Sequence, residues 1–191
     1  MNPKKFFYFT VILWLLIFSG FIVNKEYTLR TGTEVLLKTM PIDPTDLFRG
    51  DYVVLNYEIS TLNPEELQAE HIDFDYNDRI YLALTLKEGY GTPKKIYTNP
   101  PENEIYIAGK VKDIFYDWNV DEAGNMIGDA DIEELRVDYG IESYFVPEGK
   151  GLEIERDQGT GEKNVTVKVA IDKHGNALIK NLLINGEEIK Y

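Results

Sequence analysis

The chain has no cysteine among its 191 residues. That excludes disulfide bridges, thiol nucleophiles and cysteine-ligated metals. Histidine is nearly as scarce, since only His71 and His174 supply imidazole, and no His-rich metal spacing exists. His174 reads as an exposed turn residue and His71 as a helix-end residue. No internal repeat, low-complexity tract or long linker is present. Cations are in deficit, with 20 Lys and Arg against 33 Asp and Glu and a net charge of −13. Such a surface repels nucleic acid and anionic lipid headgroups, so no nucleic-acid partner is expected. It would attract basic peptides or divalent cations. No sequence pattern calls for a cofactor.

Long apolar runs are also few. The one that exists, Phe6 to Val23, is uncharged and mostly apolar over about 18 residues. As a helix it spans about 27 Å, against a hydrocarbon core of roughly 30 Å. Lys4 and Lys5 precede it and hold the N-terminus on the cytoplasmic side, although Lys25 and Arg30 follow it and weaken that asymmetry. A cleaved signal peptide is the rival reading. The run ends Phe18-Ser19-Gly20-Phe21-Ile22-Val23, without a clean small-x-small site, which favours an uncleaved anchor. The expected division is a cytoplasmic N-terminus over 1–5, a transmembrane anchor over 6–23, a linker over 24–29, and one extracytoplasmic domain over 30–191.

The domain is organised around Met40 to Ile59. Pro41 and Pro44 fix φ and push Met40 and Asp43 towards extended conformations. Asp43, Thr45 and Asp46 favour turns by bonding nearby backbone N–H groups. Arg49 stands among Asp43, Asp46 and Asp51, and its guanidinium can grip a carboxylate with two parallel hydrogen bonds. It either staples the loop or presents charge to a partner. From Tyr52 the period becomes two: Val53, Leu55, Tyr57 and Ile59 share one face and read as core.

Gly50-Asp51-Tyr52, Leu55 and Tyr57 carry a resemblance to the GDYXXLXY family, complete at all five positions. Gly140 to Gly149 resembles a second stretch that recurs in the same family. The resemblance implies a bacterial, membrane-anchored protein that works beside a multi-pass membrane protein, and it implies no reaction. Asp43, Asp46, Arg49, Asp51, Tyr52 and Tyr57 are then the candidate contact residues.

Elsewhere, alternation predicts strands. Thr33–Met40 leads into the motif loop, and Tyr52–Ile59 leaves it. Arg79–Lys87 alternates cleanly, with Ile80, Leu82, Leu84 and Leu86 on one side. Gly89 to Pro93 reads as a break, followed by a short strand over Lys94–Thr98. Glu104–Val111 is another strand, where Gly109 on the inward face marks a bulge or a close backbone approach. Leu135, Val137 and Tyr139 resume the period, and Asn164–Ile171 and Ala177–Ile184 flank a turn at Asp172–Asn176. Asn63, Pro64 and Glu66 form a helix-start signature, predicting a short helix to about Glu70. A second short helix is expected from Pro147 to Arg156. The sum is a mainly β domain with one or two short helices, sandwich-like or barrel-like, after an N-terminal transmembrane helix.

Three functional readings follow. The leading one is an anchored interaction module. The second is a peptidase: Thr39-Met40-Pro41, Asp43-Pro44-Thr45 and Gly50-Asp51-Tyr52-Val53-Val54-Leu55 resemble a region of type I signal peptidases. There Thr39 would stand for the nucleophilic serine, and Lys110 or Lys112 for the base. That family's lysine-arginine pair and Gly-Asp-Asn run are missing here. The third is cation or ligand sensing. Asp117, Asn119 and Asp121 have the alternate spacing that opens a calcium loop, but Glu122 and Gly128 break the EF-hand pattern.

Overall fold

The computed structural model describes residues 3–40, 52–70, 73–118, 131–145 and 164–189. A single long helix, α1 (Pro3–Thr31), leads the chain. Apolar residues set its first two thirds. Residues 24–29 differ from expectation: they are helix, not linker. Lys25, Glu26, Leu29 and Arg30 are good helix formers, and Glu26 pairs with Arg30 one turn on. The helix ends at Gly32, whose N–H donates to the Thr28 carbonyl at 2.8 Å. A Cβ at Gly32 would sit 2.6 Å from that carbonyl oxygen and 2.9 Å from the Ile171 carbonyl oxygen. Glycine is needed there by close approach.

The body is built from strands. They are β1 (Thr33–Lys38), β2 (Tyr52–Val54), β3 (Thr61–Leu62), β4 (Arg79–Lys87), β5 (Tyr90–Tyr97), β6 (Tyr106–Asp117), β7 (Asp131–Asp138), β8 (Ser143–Phe145), β9 (Val165–Ile171), β10 (Ala177–Ile184) and β11 (Glu187–Glu188). Nine form one sheet in the order β11-β10-β9-β1-β5-β4-β6-β7-β3, and β2 pairs with β8. The body is therefore mainly β, as the alternation predicts. Among the described pairs only β1 with β5 is parallel, and it rests on Leu36↔Tyr90.

That short pairing shapes the fold. The Leu36 N–H donates to Gly89, and on the same edge of the chain the Met40 N–H donates to the Asn56 carbonyl at 2.8 Å. Thr39 bridges Tyr57 in antiparallel fashion. The Tyr57 segment thus takes over the edge of β1 that β5 has left, and continues into β3, which pairs with β7. The pairings close a ring through β1, β5, β4, β6, β7 and β3. Strands β9, β10 and β11 extend from the other edge of β1. The ring interior holds Val35, Leu37, Ile80, Leu82, Ile96, Ile107, Val111, Leu135 and Val137, all buried, and Val167, Val169 and Leu182 join them from β9 and β10. Each such side chain contributes about 1.5–3 kcal/mol on burial.

Glycine makes the ring tight at one point in particular. A Cβ on Gly109 would collide with Val137 Cγ1 and approach the Tyr139 ring to 2.9 Å. The register shifts of β6 lie beyond it, at Val111/Asp113 and Phe115/Tyr116. Gly109 is therefore a close approach and not a bulge.

Three local expectations change. The β4–β5 turn is only Glu88-Gly89, both with positive φ, so β5 starts at Tyr90 and runs through Pro93. Pro93 is tolerated because the ladder shifts register there, between Ala83 and Leu84 on β4. The expected helix at Asn63–Glu70 is one capped turn. Asn63 Oδ1 accepts from the Glu65 and Glu66 N–H groups at 2.9 and 3.0 Å, as a cap should. Propagation then stops at Gln68, whose φ is 46°. The expected strand over Tyr52–Ile59 breaks into β2, the Tyr57 bridge and a 3-10 turn at Glu58–Ser60. The second expected helix, over 147–156, lies outside the described residues.

Candidate functional site

The motif loop lies mostly outside the described residues, and with it Asp43, Asp46, Arg49 and Asp51. Tyr52 opens β2. From there the alternation of the sequence is realised: Val53, Leu55, Tyr57 and Ile59 are buried, while Val54 and Glu58 are exposed. Alternation persists although the strand is broken, with Leu55 and Asn56 still tied to neighbouring segments through backbone hydrogen bonds to Glu142 and Met40.

Residues 140–145 lie directly against this stretch. β2 and β8 pair as Tyr52↔Phe145, Val53↔Tyr144 and Val54↔Ser143. The Leu55 N–H donates to the Glu142 carbonyl at 2.8 Å. Two tyrosines then lock the crossing in opposite directions. Tyr57 OH donates to the Ile141 carbonyl and Tyr139 OH to the Ile59 carbonyl, each at 2.6 Å. Burial pushes both phenols well above the ordinary tyrosine range, and the nearby Glu142 charge adds to the effect. Both hydroxyls therefore stay protonated donors. Tyr57, singled out as a contact residue, has no exposed surface. Its hydroxyl is spent inside the body, so what it does for the loop is to anchor the strand that leaves it.

The peptidase reading finds no assembled dyad among the described contacts. Thr39 Oγ1 donates to the Val165 carbonyl at 2.9 Å. Lys112 Nζ lies 3.3 Å from Asp138 on the neighbouring strand. Strands β5 and β4 stand between β1, which leads to Thr39, and β6, which carries both lysines. Lys110 and Lys112 instead line a groove of about 440 Å³ with Asp138, Tyr139, Glu142 and Asn176, beside the tyrosine crossing.

Of the calcium-loop candidates, Asp117 ends β6 as an exposed residue opposite Asp131. Asn119 and Asp121 lie outside the described residues. Among the described residues no three His, Asp or Glu gather as a metal-holding group. His174 sits exposed in the β9–β10 turn, as its surroundings in the sequence predict.

A larger crevice, about 780 Å³, opens where α1 meets the body. Sequence reasoning missed it. The available signal was the spacing of Asn24, Tyr27, Thr28 and Thr31, which places all four on one helical face just past the apolar run.

Compared with known proteins, the chain matches one family model, described as GDYXXLXY protein, over residues 14–182. No curated protein and no solved structure matches it.

Proposed function

The chain belongs to the GDYXXLXY family, and on that premise we propose that it is a membrane-anchored accessory module with its β body on the extracytoplasmic side. One observation carries this reading. The apolar side chains of α1 from Phe6 to Val23 are exposed along the helix, Leu16 at 66% and Ile22 at 69%, and the body covers none of that apolar stretch. The helix is long and apolar enough to cross a membrane. A continuous exposed apolar surface of this size is stable only in lipid or against another protein.

The body supports an interaction role by its build. Among the described residues, the buried Tyr57 and Tyr139 crossing holds the segment after the motif loop against residues 139–145. The chain is thereby clamped where it leaves the motif loop at Tyr52, and Asp43, Asp46, Arg49 and Asp51, outside the described residues, are the proposed contacts with charged groups on a partner. The partner is a multi-pass membrane protein in the same membrane of a bacterial cell.

Two experiments test this. The absence of native cysteine gives a clean background for labelling a single Glu102→Cys variant with a membrane-impermeant maleimide in intact cells. Labelling without permeabilisation is expected, and labelling only after permeabilisation refutes the orientation. A photo-reactive residue at Asp46 should capture one multi-pass protein predominantly. A diffuse set of abundant bystanders refutes a dedicated partner.

A further inference from the structure

The crevice of about 780 Å³ has three walls. One is the last two turns of α1, through Asn24, Tyr27, Thr28 and Thr31. The second is the loop into β6, through Glu104, Ile105 and Tyr106. The third is the β9–β10 turn, through Asp172, Lys173 and His174. The walls are tied to one another. Tyr106 OH donates to the Lys173 carbonyl at 2.9 Å, and the Ala108 N–H donates to Gly175 at 2.9 Å. Thr28 is buried at the floor of the helix–body contact.

Its height is what gives it meaning. Asn24 follows the last residue of the apolar run, and the rise from Asn24 to Thr31 is about 10 Å. A bilayer's polar layer is roughly 5–8 Å thick on each side. With α1 in a bilayer, the crevice begins at the edge of the hydrocarbon and spans the headgroup layer. Its volume suits a small-molecule ligand.

The lining is of mixed sign, and its charges are unequally committed. Asp172 accepts from the His174 N–H at 2.8 Å and from Asn176 N and Nδ2, each at 2.9 Å. Glu104 accepts from Lys94 Nζ at 3.0 Å and Tyr97 OH at 3.2 Å, which leaves carboxylate lone pairs over. Among the described residues, Lys173 and His174 make no ion pair with a carboxylate. An anionic headgroup would meet the field of a chain of net charge −13. A zwitterion would not, since it adds no net charge.

We propose that this crevice seats the headgroup of a zwitterionic phospholipid, its phosphate diester towards Lys173 and His174 and its ammonium towards Glu104. The inference rests on the membrane-anchor reading of α1.

The test uses the full chain in nanodiscs of equimolar phosphatidylethanolamine and phosphatidylglycerol. Native mass spectrometry then counts the lipids that stay bound after transfer to detergent. The wild type should retain one phosphatidylethanolamine, enriched about fivefold over phosphatidylglycerol. A Lys173→Glu/His174→Glu variant should lose retention about tenfold, because both side chains are exposed and the Lys173 carbonyl contact is untouched. Lys87→Glu, exposed at the end of β4 and outside the crevice lining, should retain lipid like the wild type. Equal retention by the double variant overturns the proposal, as does equal loss in Lys87→Glu or a preference for phosphatidylglycerol. Displacement by free phosphoethanolamine at millimolar concentration would assign the site to a soluble phosphate ester and overturn the lipid source. Alkaline extraction of membranes separates the premises. A chain that is extracted fails the anchor reading, and the lipid proposal falls with it. A chain that stays but retains no lipid fails this proposal alone.

Discussion

Removing the phenol hydroxyl of Tyr57 should weaken the body more than its small size suggests. In Tyr57→Phe the ring still fills the core, but the Ile141 carbonyl loses a donor at 2.6 Å. A buried polar group left unpaired costs about 1–3 kcal/mol. Tyr139→Phe does the same to the Ile59 carbonyl. For a domain of this size each kcal/mol lowers Tm by roughly 2–4 °C, so each single variant should melt about 4–8 °C below the wild type at a mid-range loss of about 2 kcal/mol. The two bonds cross between the same two segments, in opposite directions. Once one is cut, the segments can part and admit water, and the second cut costs less. The double variant should therefore lose about 3 kcal/mol, not the sum of the singles, a coupling within the usual range for neighbouring groups. The assay is urea unfolding of the full chain in detergent, followed by tyrosine and tryptophan fluorescence. Single variants within about 0.5 kcal/mol of the wild type, or strictly additive losses, would refute the claim that the pair works as one staple.

The same pair predicts a pH dependence. Both phenols are held above their ordinary value in the folded state, so the unfolded chain gives up these protons first, near pH 10. Stability from this source is complete below pH 10 and is lost as pH climbs towards the folded pKa, at about 1.4 kcal/mol per pH unit for each phenol. The Tyr57→Phe/Tyr139→Phe variant should show a shallower alkaline decline than the wild type, and parallel declines would contradict the assignment. Gly109→Ala should cost about 1–3 kcal/mol by overpacking against Val137 and Tyr139, read from the urea midpoint. Gly32→Ala should lower Tm comparably, because its Cβ meets backbone carbonyls of Thr28 and Ile171 that cannot swing away. Glu34→Gln should change stability by under about 1 kcal/mol. Its carboxyl is held below the usual range by the Lys180 hydrogen bond and charge, but the pair is largely solvated.

Much of this architecture is legible without coordinates, for reasons of periodicity. The apolar run from Phe6 to Val23 needs no partner in the sequence to declare a helix that lipid can surround. The period of two marks Val165, Val167, Val169 and Ile171 as core, and all four are buried. Asn63 also declares its cap. These signals are local, each set by a few neighbouring residues. Element lengths are less local. Glu26 and Arg30 extend α1 through what composition read as a linker, and the register shift beside Pro93 lets β5 absorb a proline.

What the amino-acid order alone determined was which residues turn inward and which segment is long and apolar enough to cross a membrane, because side-chain alternation and apolar length are properties of short stretches. Only the tertiary structure decided which stretches meet. That Tyr57 reaches Ile141, that Tyr139 reaches Ile59 and that α1 leaves a crevice beside Lys173 depend on contacts between residues some eighty or more positions apart, and the Tyr57 segment closes the ring on β1 from the far side of the motif loop. Such contacts are chosen by the packing of the whole core, in which many weak preferences are satisfied at once, and no single stretch carries that choice.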